Sequence, residues 1–344
     1  MIETELAQRF RIFAERECRD SSPLYEYLSL EIAEDPGILD LCRHARDVQP
    51  VPNLLFGAVH YLLLKGIDHP LAAYYPSVSK QPKPFHDAFA DFKSFCTTYE
   101  AELIPLLAQR LVQTNEVRRC TYLYPVFSQI HEQTQQPLAL LEIGTSAGLQ
   151  LLFDQYGYEY GNGETVGNPA SRLQLTSVIE GNDTPVIPQT PPPVTMRTGL
   201  DLNIVDLNDT DEQLWLKALI WTEHRERLAM FEAAAGYVEE LPLKLVEGDG
   251  VRLLPHYAAE TPDDSILCIF HTHVANQMPL AVKKELLHVV GEIGRTRNLY
   301  HVYNNVQDRY LHLDAYIDGV LTEQTIAETD GHGRWFKWLV TQEV

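Results

Sequence analysis

The chain has 344 residues, of which 45% are hydrophobic and 22% are charged, and these proportions are those of an ordinary globular protein. The length favours two domains over a single core. Acidic residues outnumber basic ones by 48 to 27, so the formal net charge is −21. A surface this acidic opposes general nucleic-acid binding, because phosphate contacts need clustered Lys and Arg.

The cysteines and the N-terminal segment both favour a cytoplasmic protein. The five cysteines are scattered and include no Cys-x-x-Cys pair, which argues against a disulfide framework and against a zinc-thiolate site. The acidic start, Met1 to Glu5, lacks the basic region of a signal peptide. The longest apolar stretch, 54–64, is too short to span a bilayer. We expect buried thiols in a reducing cytoplasm and no membrane contact.

The first part of the chain, residues 1–136, is predicted to be an all-helical N-terminal domain. Apolar residues at helical spacing form a wide stripe between Leu54 and Leu63. Ser22 followed by Pro23 is typical of a helix start. Similar periodicity continues over 85–111 and 116–133, the second of these with a bend expected at Pro125.

The pattern changes at Pro137, and residues 137–344 are predicted to form an α/β domain. Short unbroken apolar runs alternate with helical stretches, which is typical of parallel strands buried on both faces. The predicted strands are 138–143, 194–198, 243–246, 266–270 and 299–303. Runs at 316–326 and 335–340, joined through Gly331-His332-Gly333, predict a terminal antiparallel hairpin. The fold class is therefore a Rossmann-like sheet with an added hairpin.

The segment 156–193 is irregular and rich in glycine and proline. A connection this long is unusual in a compact domain. Two interpretations remain open, a functional lid and an insertion that contains its own small hairpin.

A glycine-rich loop follows the first predicted strand and precedes a helical stretch, as a nucleotide-binding loop requires. Its residues are Glu142, Ile143, Gly144, Thr145, Ser146, Ala147 and Gly148. Gly144 permits a sharp turn, and the small residues after it let a ligand approach backbone amides at the helix start. The acidic Glu142 is a poor neighbour for a pyrophosphate and suits a ligand that carries a positive amino group.

This loop resembles the first motif of Rossmann-like S-adenosylmethionine-dependent methyltransferases, an acidic residue followed by Gly-x-Gly-x-Gly, with Ser146 in place of the central glycine. The terminal hairpin resembles the last two strands of that fold. The resemblance implies that S-adenosylmethionine is the cofactor and that the glycine loop binds it.

A second resemblance extends along most of the chain, to the uncharacterised bacterial family known as domain of unknown function 2332. Four segments carry it: Asp68 to Pro76, Glu142 to Leu149, Gly199 to Asn203 and Leu219 to Trp221. What this family implies is a methyltransferase-like fold without an assigned substrate.

Acidic residues after the second and third strands are candidates for further cofactor contacts. Asp201 fits by its order in the chain the carboxylate that binds ribose hydroxyls, with Glu159 or Glu164 as lesser choices and an ordinary turn aspartate as the alternative. Gly248 and Asp249 resemble the loop that contacts the adenine in this fold, although Gly and Asp also favour plain turns.

His271, His273 and Asn276 lie just beyond the fourth strand, where open α/β sheets bind ligands. A histidine there could remove a proton from a methyl acceptor, so these three are the candidate catalytic residues. Metal binding and purely structural hydrogen bonding are the alternatives, and we predict no metal site.

We therefore expect a methyltransferase that acts on an unidentified small-molecule acceptor. Displacement of a methyl group needs mainly positioning and exclusion of water. The alternative is a non-catalytic nucleotide- or S-adenosylmethionine-binding regulatory protein that retains the fold, because fold does not determine function.

Overall fold

The computed structural model describes residues 5–47 and 49–340, so the acidic start at Met1 to Thr4 lies outside the described residues. The α-helices, in chain order, are α1 (Glu5–Phe13), α2 (Pro23–Ile32), α3 (Pro36–Cys42), α4 (Val51–Leu64), α5 (Ala88–Thr98), α6 (Glu100–Gln109), α7 (Cys120–Thr134), α8 (Thr210–Leu219), α9 (Arg225–Val238), α10 (Gly250–Ala258) and α11 (Leu280–Gly294). The strands are β1 (Leu138–Ile143), β2 (Gly157–Glu159), β3 (Thr165–Gly167), β4 (Gln174–Thr176), β5 (Val178–Glu180), β6 (Val194–Asp201), β7 (Lys244–Glu247), β8 (Ile266–His271), β9 (Leu299–Tyr303), β10 (Leu311–Ile317), β11 (Val320–Thr329) and β12 (Trp335–Trp338). None of the helices described is both long and apolar enough to cross a membrane.

The chain divides into two compact units, each built from two segments. Unit 1 contains Met1–Thr114 and Asn208–Ala229, and unit 2 contains Asn115–Leu207 and Met230–Val344. The sequence prediction placed a single boundary between residues 136 and 137. In the structure, α7 belongs with the sheet, and α8 belongs with the helices of the first segment.

Unit 1, over its described residues, is built from helices and loops around the almost completely buried α4. Its helix α8 packs so closely on α4 that a Cβ atom at Gly57 would lie 2.8 Å from Leu219 Cδ2. The Trp215 indole donates to Leu111 O at 2.9 Å. The buried His60 ring bridges Ala218 O at 2.9 Å and Ser77 Oγ at 2.7 Å. These contacts explain why residues 208–229 join this unit.

Unit 2 contains a nine-stranded sheet in the order β5-β12-β11-β10-β9-β8-β1-β6-β7. Five of its eight neighbouring strand pairs are parallel, and the three antiparallel pairs join β9, β10, β11 and β12. The fold is therefore α/β with a mostly parallel sheet. From β1 the chain proceeds outward to β6 and β7, then returns to β8 and β9 on the other side of β1.

Several predicted strands coincide with observed ones, and one was wrong in its extent. Leu138–Ile143 and Leu299–Tyr303 are strands as predicted, and 194–198 extends to Asp201. The predicted strand 316–326 is divided by a turn in which Asp318 and Gly319 have positive φ angles of 50° and 78°. The two halves belong to β10 and β11, which pair antiparallel. The predicted terminal hairpin is present as β11 and β12.

Helices cover the two faces of the parallel strands. On one face, Leu254 of α10 and Leu286 and Val290 of α11 form a buried cluster with the odd-numbered side chains of β1, β8 and β9. On the other face, Phe127 of α7 packs edge-on against Phe270 of β8, with ring centroids 5.2 Å apart. The alternation of side chains along each strand therefore decides which residues meet α7 and which meet α11.

The segment 156–193, predicted as irregular, contains regular structure. Strands β2, β3 and β4 form a separate three-stranded sheet, and β5 pairs with β12 at the edge of the main sheet. The β2–β3 hairpin favours the small-insertion interpretation. The five cysteines are buried and unpaired, as predicted.

Candidate functional site

The glycine-rich loop after β1 turns through three residues with positive φ. Gly144 has a φ of 75°, Ser146 of 50° and Gly148 of 75°. A serine in this left-handed region is strained by about 1–2 kcal/mol relative to glycine. Ser146 therefore adopts the backbone conformation that a glycine would take, and the loop keeps its shape despite the substitution. A Cβ atom at Gly144 would lie 2.5 Å from Val274 Cγ2, so this glycine is also required by packing.

The loop amides were expected to be free for a ligand, and this expectation was wrong. Each of the five consecutive amides donates within the protein: Gly144 N to Leu200 O (2.8 Å), Thr145 N to Leu200 O (3.4 Å), Ser146 N to Asp201 Oδ2 (2.7 Å), Ala147 N to Asn115 Oδ1 (3.3 Å) and Gly148 N to Thr145 O (2.8 Å). Asn115 also donates to Ser146 Oγ at 3.1 Å. A ligand carboxylate would have to replace one of these partners, and the long bond from Ala147 to Asn115 is among the weakest.

Glu142 lies beneath the loop with only 2% of its surface exposed. The Thr145 hydroxyl donates to its Oε2 at 2.6 Å. Burial raises the pKa of Glu142 to about 8, the Thr145 bond works against that rise, and the nearby Asp201 carboxylate adds to it. Glu142 is therefore largely protonated at neutral pH, and an approaching cation would favour its ionised form.

Asp201 ends β6 directly beside the loop. Its Oδ2 accepts from Ser146 N at 2.7 Å, and its Oδ1 accepts from Asn203 N at 3.0 Å. Burial raises the pKa of this carboxyl group above its ordinary value. Leu202, which follows it, has 77% of its surface exposed. The end of β6 thus presents a carboxylate beside an exposed apolar side chain.

The two lesser candidates for the carboxylate that binds ribose hydroxyls lie away from the glycine loop. Glu159 is in β2 and accepts from Gly163 N at 2.8 Å, so it stabilises the turn of the small hairpin. Glu164 is exposed in the same turn. Of the three acidic candidates, the structure brings Asp201 to the glycine loop.

Gly248 and Asp249 form the turn between β7 and α10. Gly248 N donates to Asp201 O at 2.7 Å, which joins this turn to the end of β6. Asp249 is the N-cap of α10, where its Oδ1 accepts from Val251 N at 3.1 Å and Arg252 N at 3.3 Å. Of the two alternatives that the sequence left open for Asp249, the structure favours the ordinary turn.

The three candidate catalytic residues occupy different environments. His271 is completely buried on the sheet face of Ile269, whereas Glu142 points to the opposite face, that of Phe270. His273 has a positive φ of 62°, its N donates to Asn304 Oδ1 at 2.7 Å, and its Nε2 is buried without a partner. Asn276 is exposed in a short 3-10 helix, Val274–Gln277. The structure therefore separates His271 from the glycine loop.

Burial, together with the charge of Arg119, lowers the pKa of His273 to about 3. A group with such a pKa is a weak base at neutral pH. Because Asn305 Nδ2 donates to Nδ1 at 3.4 Å, the neutral ring of His273 carries its hydrogen on the unpaired Nε2, which can orient a hydrogen-bond-accepting group but is poorly suited to removing a proton.

Arg119 and Asn115 are features of the site that were not among the predicted site residues. The Arg119 Nε donates to Gly331 O at 2.9 Å, and its Nη1 contacts both oxygens of Thr272 at 3.4 Å. Thr272 Oγ1 in turn donates to Gln150 Oε1 at 3.0 Å. Asn115 precedes α7 and reaches the glycine loop 31 residues away. Neither residue belongs to a local motif, so no signal in the sequence marks its role.

No group of three or more His, Cys, Asp or Glu among residues 5–47 and 49–340 could hold a metal ion. No curated protein matches this chain, and no solved structure matches it. A family model does match, over residues 7–338, and its description is an uncharacterised protein conserved in bacteria. Since the match covers nearly the whole chain, the protein belongs to the DUF2332 family.

Proposed function

We propose that unit 2 is a Rossmann-like domain that binds S-adenosylmethionine, and that the protein is a methyltransferase for a small-molecule acceptor. One observation carries the proposal. At the point where the chain order of the parallel strands reverses, a loop with positive φ at Gly144, Ser146 and Gly148 meets the carboxylate of Asp201. Ligands of open α/β sheets bind at such a point, beyond the carboxyl ends of the strands.

The order of the parallel strands supports the Rossmann-like assignment. Numbered along the chain, β1, β6, β7, β8 and β9 are arranged in the sheet as 3-2-1-4-5, the order of the doubly wound dinucleotide-binding folds. The antiparallel strands beyond β9 follow one another in chain order, as a meander. The loop between β11 and β12 returns to Arg119, whose Nε donates to Gly331 O at 2.9 Å.

The residues around the loop fit the separate parts of the proposed cofactor. Asp201 offers carboxylate oxygens to ribose hydroxyls, and the exposed Leu202 offers an apolar surface to a purine ring. Glu142 would form an ion pair with the positive amino group of the cofactor. The Ala147 amide would donate to the carboxylate of the cofactor once Asn115 moves aside. When bound, the cofactor would supply an electrophilic methyl group. His273 would orient the acceptor rather than deprotonate it.

The direct test is calorimetric titration of the full chain with S-adenosylmethionine and with S-adenosylhomocysteine. Separate titrations with NAD and ATP, which other proteins with this kind of fold bind, serve as the comparison. We expect both sulfur-containing ligands to bind and to raise Tm, since a ligand of the native state stabilises it by mass action. Absence of heat and of a Tm shift at millimolar S-adenosylhomocysteine would overturn the proposal, as would preferential binding of NAD or ATP.

A matched pair of surface variants locates the site. Leu202→Asp places a charge where the purine is proposed to lie and is expected to weaken binding of S-adenosylhomocysteine at least tenfold. Val320→Asp changes an apolar side chain that is 65% exposed at the β10–β11 turn, and it should leave the affinity unchanged. Equal effects of the two variants would show that the purine does not contact Leu202.

The second candidate function, a non-catalytic binding protein, is favoured by the lowered pKa of His273, about 3, which makes this candidate catalytic residue a weak base at neutral pH. Asn115→Ala tests whether the loop can bind a ligand, which both functions require. If the Asn115 carboxamide occupies the place of a ligand carboxylate, its removal should tighten binding of S-adenosylhomocysteine. If the loop has become a closed structural turn, neither the wild-type protein nor the variant will bind, and the methyltransferase proposal fails.

A further inference from the structure

Three ionisable side chains lie together inside unit 2, on the face of the sheet that packs against α11. His271 follows Ile269 by two positions on β8, and His301 follows Leu299 by two on β9, so both point to the face of the apolar cluster. Asp314 of β10 is the cross-strand partner of His301. The two histidines are completely buried and Asp314 is 3% exposed.

These side chains leave five polar atoms without a hydrogen-bond partner in the protein. The atoms are Nδ1 and Nε2 of His271, Nδ1 and Nε2 of His301, and Oδ1 of Asp314. The other oxygen of Asp314 accepts from the Tyr303 hydroxyl at 3.0 Å. Buried polar groups in native proteins are nearly always paired, so five unpaired atoms in one layer indicate that something other than protein bonds to them.

Another buried histidine shows what a fully satisfied ring looks like in this chain. His60 of unit 1 is 1% exposed, and its Nδ1 and Nε2 lie 2.9 Å and 2.7 Å from Ala218 O and Ser77 Oγ. Its burial is therefore accompanied by two hydrogen bonds. His271 and His301 are buried as deeply and have none within the protein.

The chemistry of the layer restricts its occupant. Burial lowers the pKa of His271 to about 3 and lowers the pKa of His301 as well, so both rings are neutral at physiological pH. A neutral imidazole has one donor and one acceptor nitrogen, and the free oxygen of Asp314 adds an acceptor. No metal-binding group occurs among the described residues. The layer therefore suits an occupant that both donates and accepts hydrogen bonds.

We propose that His271, His301 and Asp314 form a buried hydration site, in which ordered water molecules bridge the two rings and the carboxylate. The ring centroids of His271 and His301 are 5.4 Å apart, so the two rings are neighbours in this layer. Because His271 ends β8, the water-bridged layer supports the turn that leads into Thr272 and His273 from beneath.

The test uses three histidine-to-leucine variants of the full chain. His60→Leu is the matched control, because it removes a buried ring whose partners are known. If the layer is hydrated, His301→Leu and His271→Leu should each lower Tm by several degrees, about 3–8 °C for a lost pair of hydrogen bonds. The double variant should lose less than the sum of the single variants, because the rings share their waters.

An anhydrous layer gives the opposite result. Leucine would then replace a ring with unpaired nitrogens, and Tm would rise in the His271 and His301 variants while it falls in His60→Leu. A crystal structure of the wild-type protein provides the second readout, which does not depend on the variants folding. Ordered solvent within hydrogen-bond distance of the His271 and His301 nitrogens is expected. Density for a larger molecule, or none, overturns the proposal.

Discussion

Replacing Glu142 with glutamine should remove a large part of the pH dependence of stability. The native protein keeps the Glu142 proton up to a pKa of about 8, whereas the unfolded chain loses it near the ordinary value of 4.5. Between these values the native state binds more protons, so the free energy of unfolding falls as pH rises through this window and levels off above about 8. Glu142→Gln has no proton to lose, and its amide oxygen can still accept from Thr145 Oγ1.

The size of the effect follows from the two pKa values. Their separation corresponds to on the order of 5 kcal/mol, an upper value because a buried site relaxes when it ionises. The variant should match the wild-type protein near pH 4, exceed it by about 1.4 kcal/mol at pH 5.5 and exceed it by several kcal/mol at pH 9. Guanidinium unfolding at intervals between these values measures the difference. The exposed Glu285→Gln serves as a control. A difference between Glu142→Gln and wild type that stays constant with pH would refute the reasoning.

Three further predictions concern the glycine loop. Gly144→Ala should lower the free energy of unfolding by about 2–4 kcal/mol, because the new Cβ atom meets a side chain at 2.5 Å, whereas Gly161→Ala, with similar φ and open space, should cost about 1 kcal/mol. Ser146→Gly should change the free energy of unfolding by less than about 1 kcal/mol, because relief of backbone strain offsets the loss of the hydrogen bond to Ser146 Oγ. A decrease of more than about 3 kcal/mol would contradict this prediction. Binding of S-adenosylhomocysteine at pH 7 should release protons from Glu142, seen by calorimetry in buffers of different ionisation enthalpy, and proton uptake would exclude contact between a ligand ammonium and this group.

The parallel strands were predictable because their signal is local. In the run Leu138–Ile143 every residue except Glu142 is apolar, and all six residues are buried in the structure. The prediction for 316–326 failed because it joined the strand-forming residues on both sides of Asp318 and Gly319 into one run. An Asp-Gly pair between such residues is itself a local hairpin signal, so this turn was visible in the sequence.

The domain boundary and the state of the loop amides depend on contacts that are distant in sequence. Trp215 of α8 bonds to Leu111 O, 104 residues earlier, and Asn115 reaches Ala147, 32 residues later. Periodicity shows that α8 is amphipathic but not which element covers it. The composition of the loop likewise shows that ligands can approach its backbone, but not that side chains of the protein already bond to it.

The loop between β11 and β12 has a consequence for the order in which the protein folds. Gly331 and Gly333 accept from Arg119 and Thr121, and His332 contacts Glu116 at 3.1 Å, across more than 210 residues of chain. Such pairings form slowly, because the long intervening segment must be closed first. During synthesis, the residues at the start of α7 therefore cannot bond to Gly331, His332 and Gly333 until residue 333 has left the ribosome. The contacts of Arg119, Thr121 and Glu116 with this loop therefore form late, and shorter nascent chains contain the glycine loop without them.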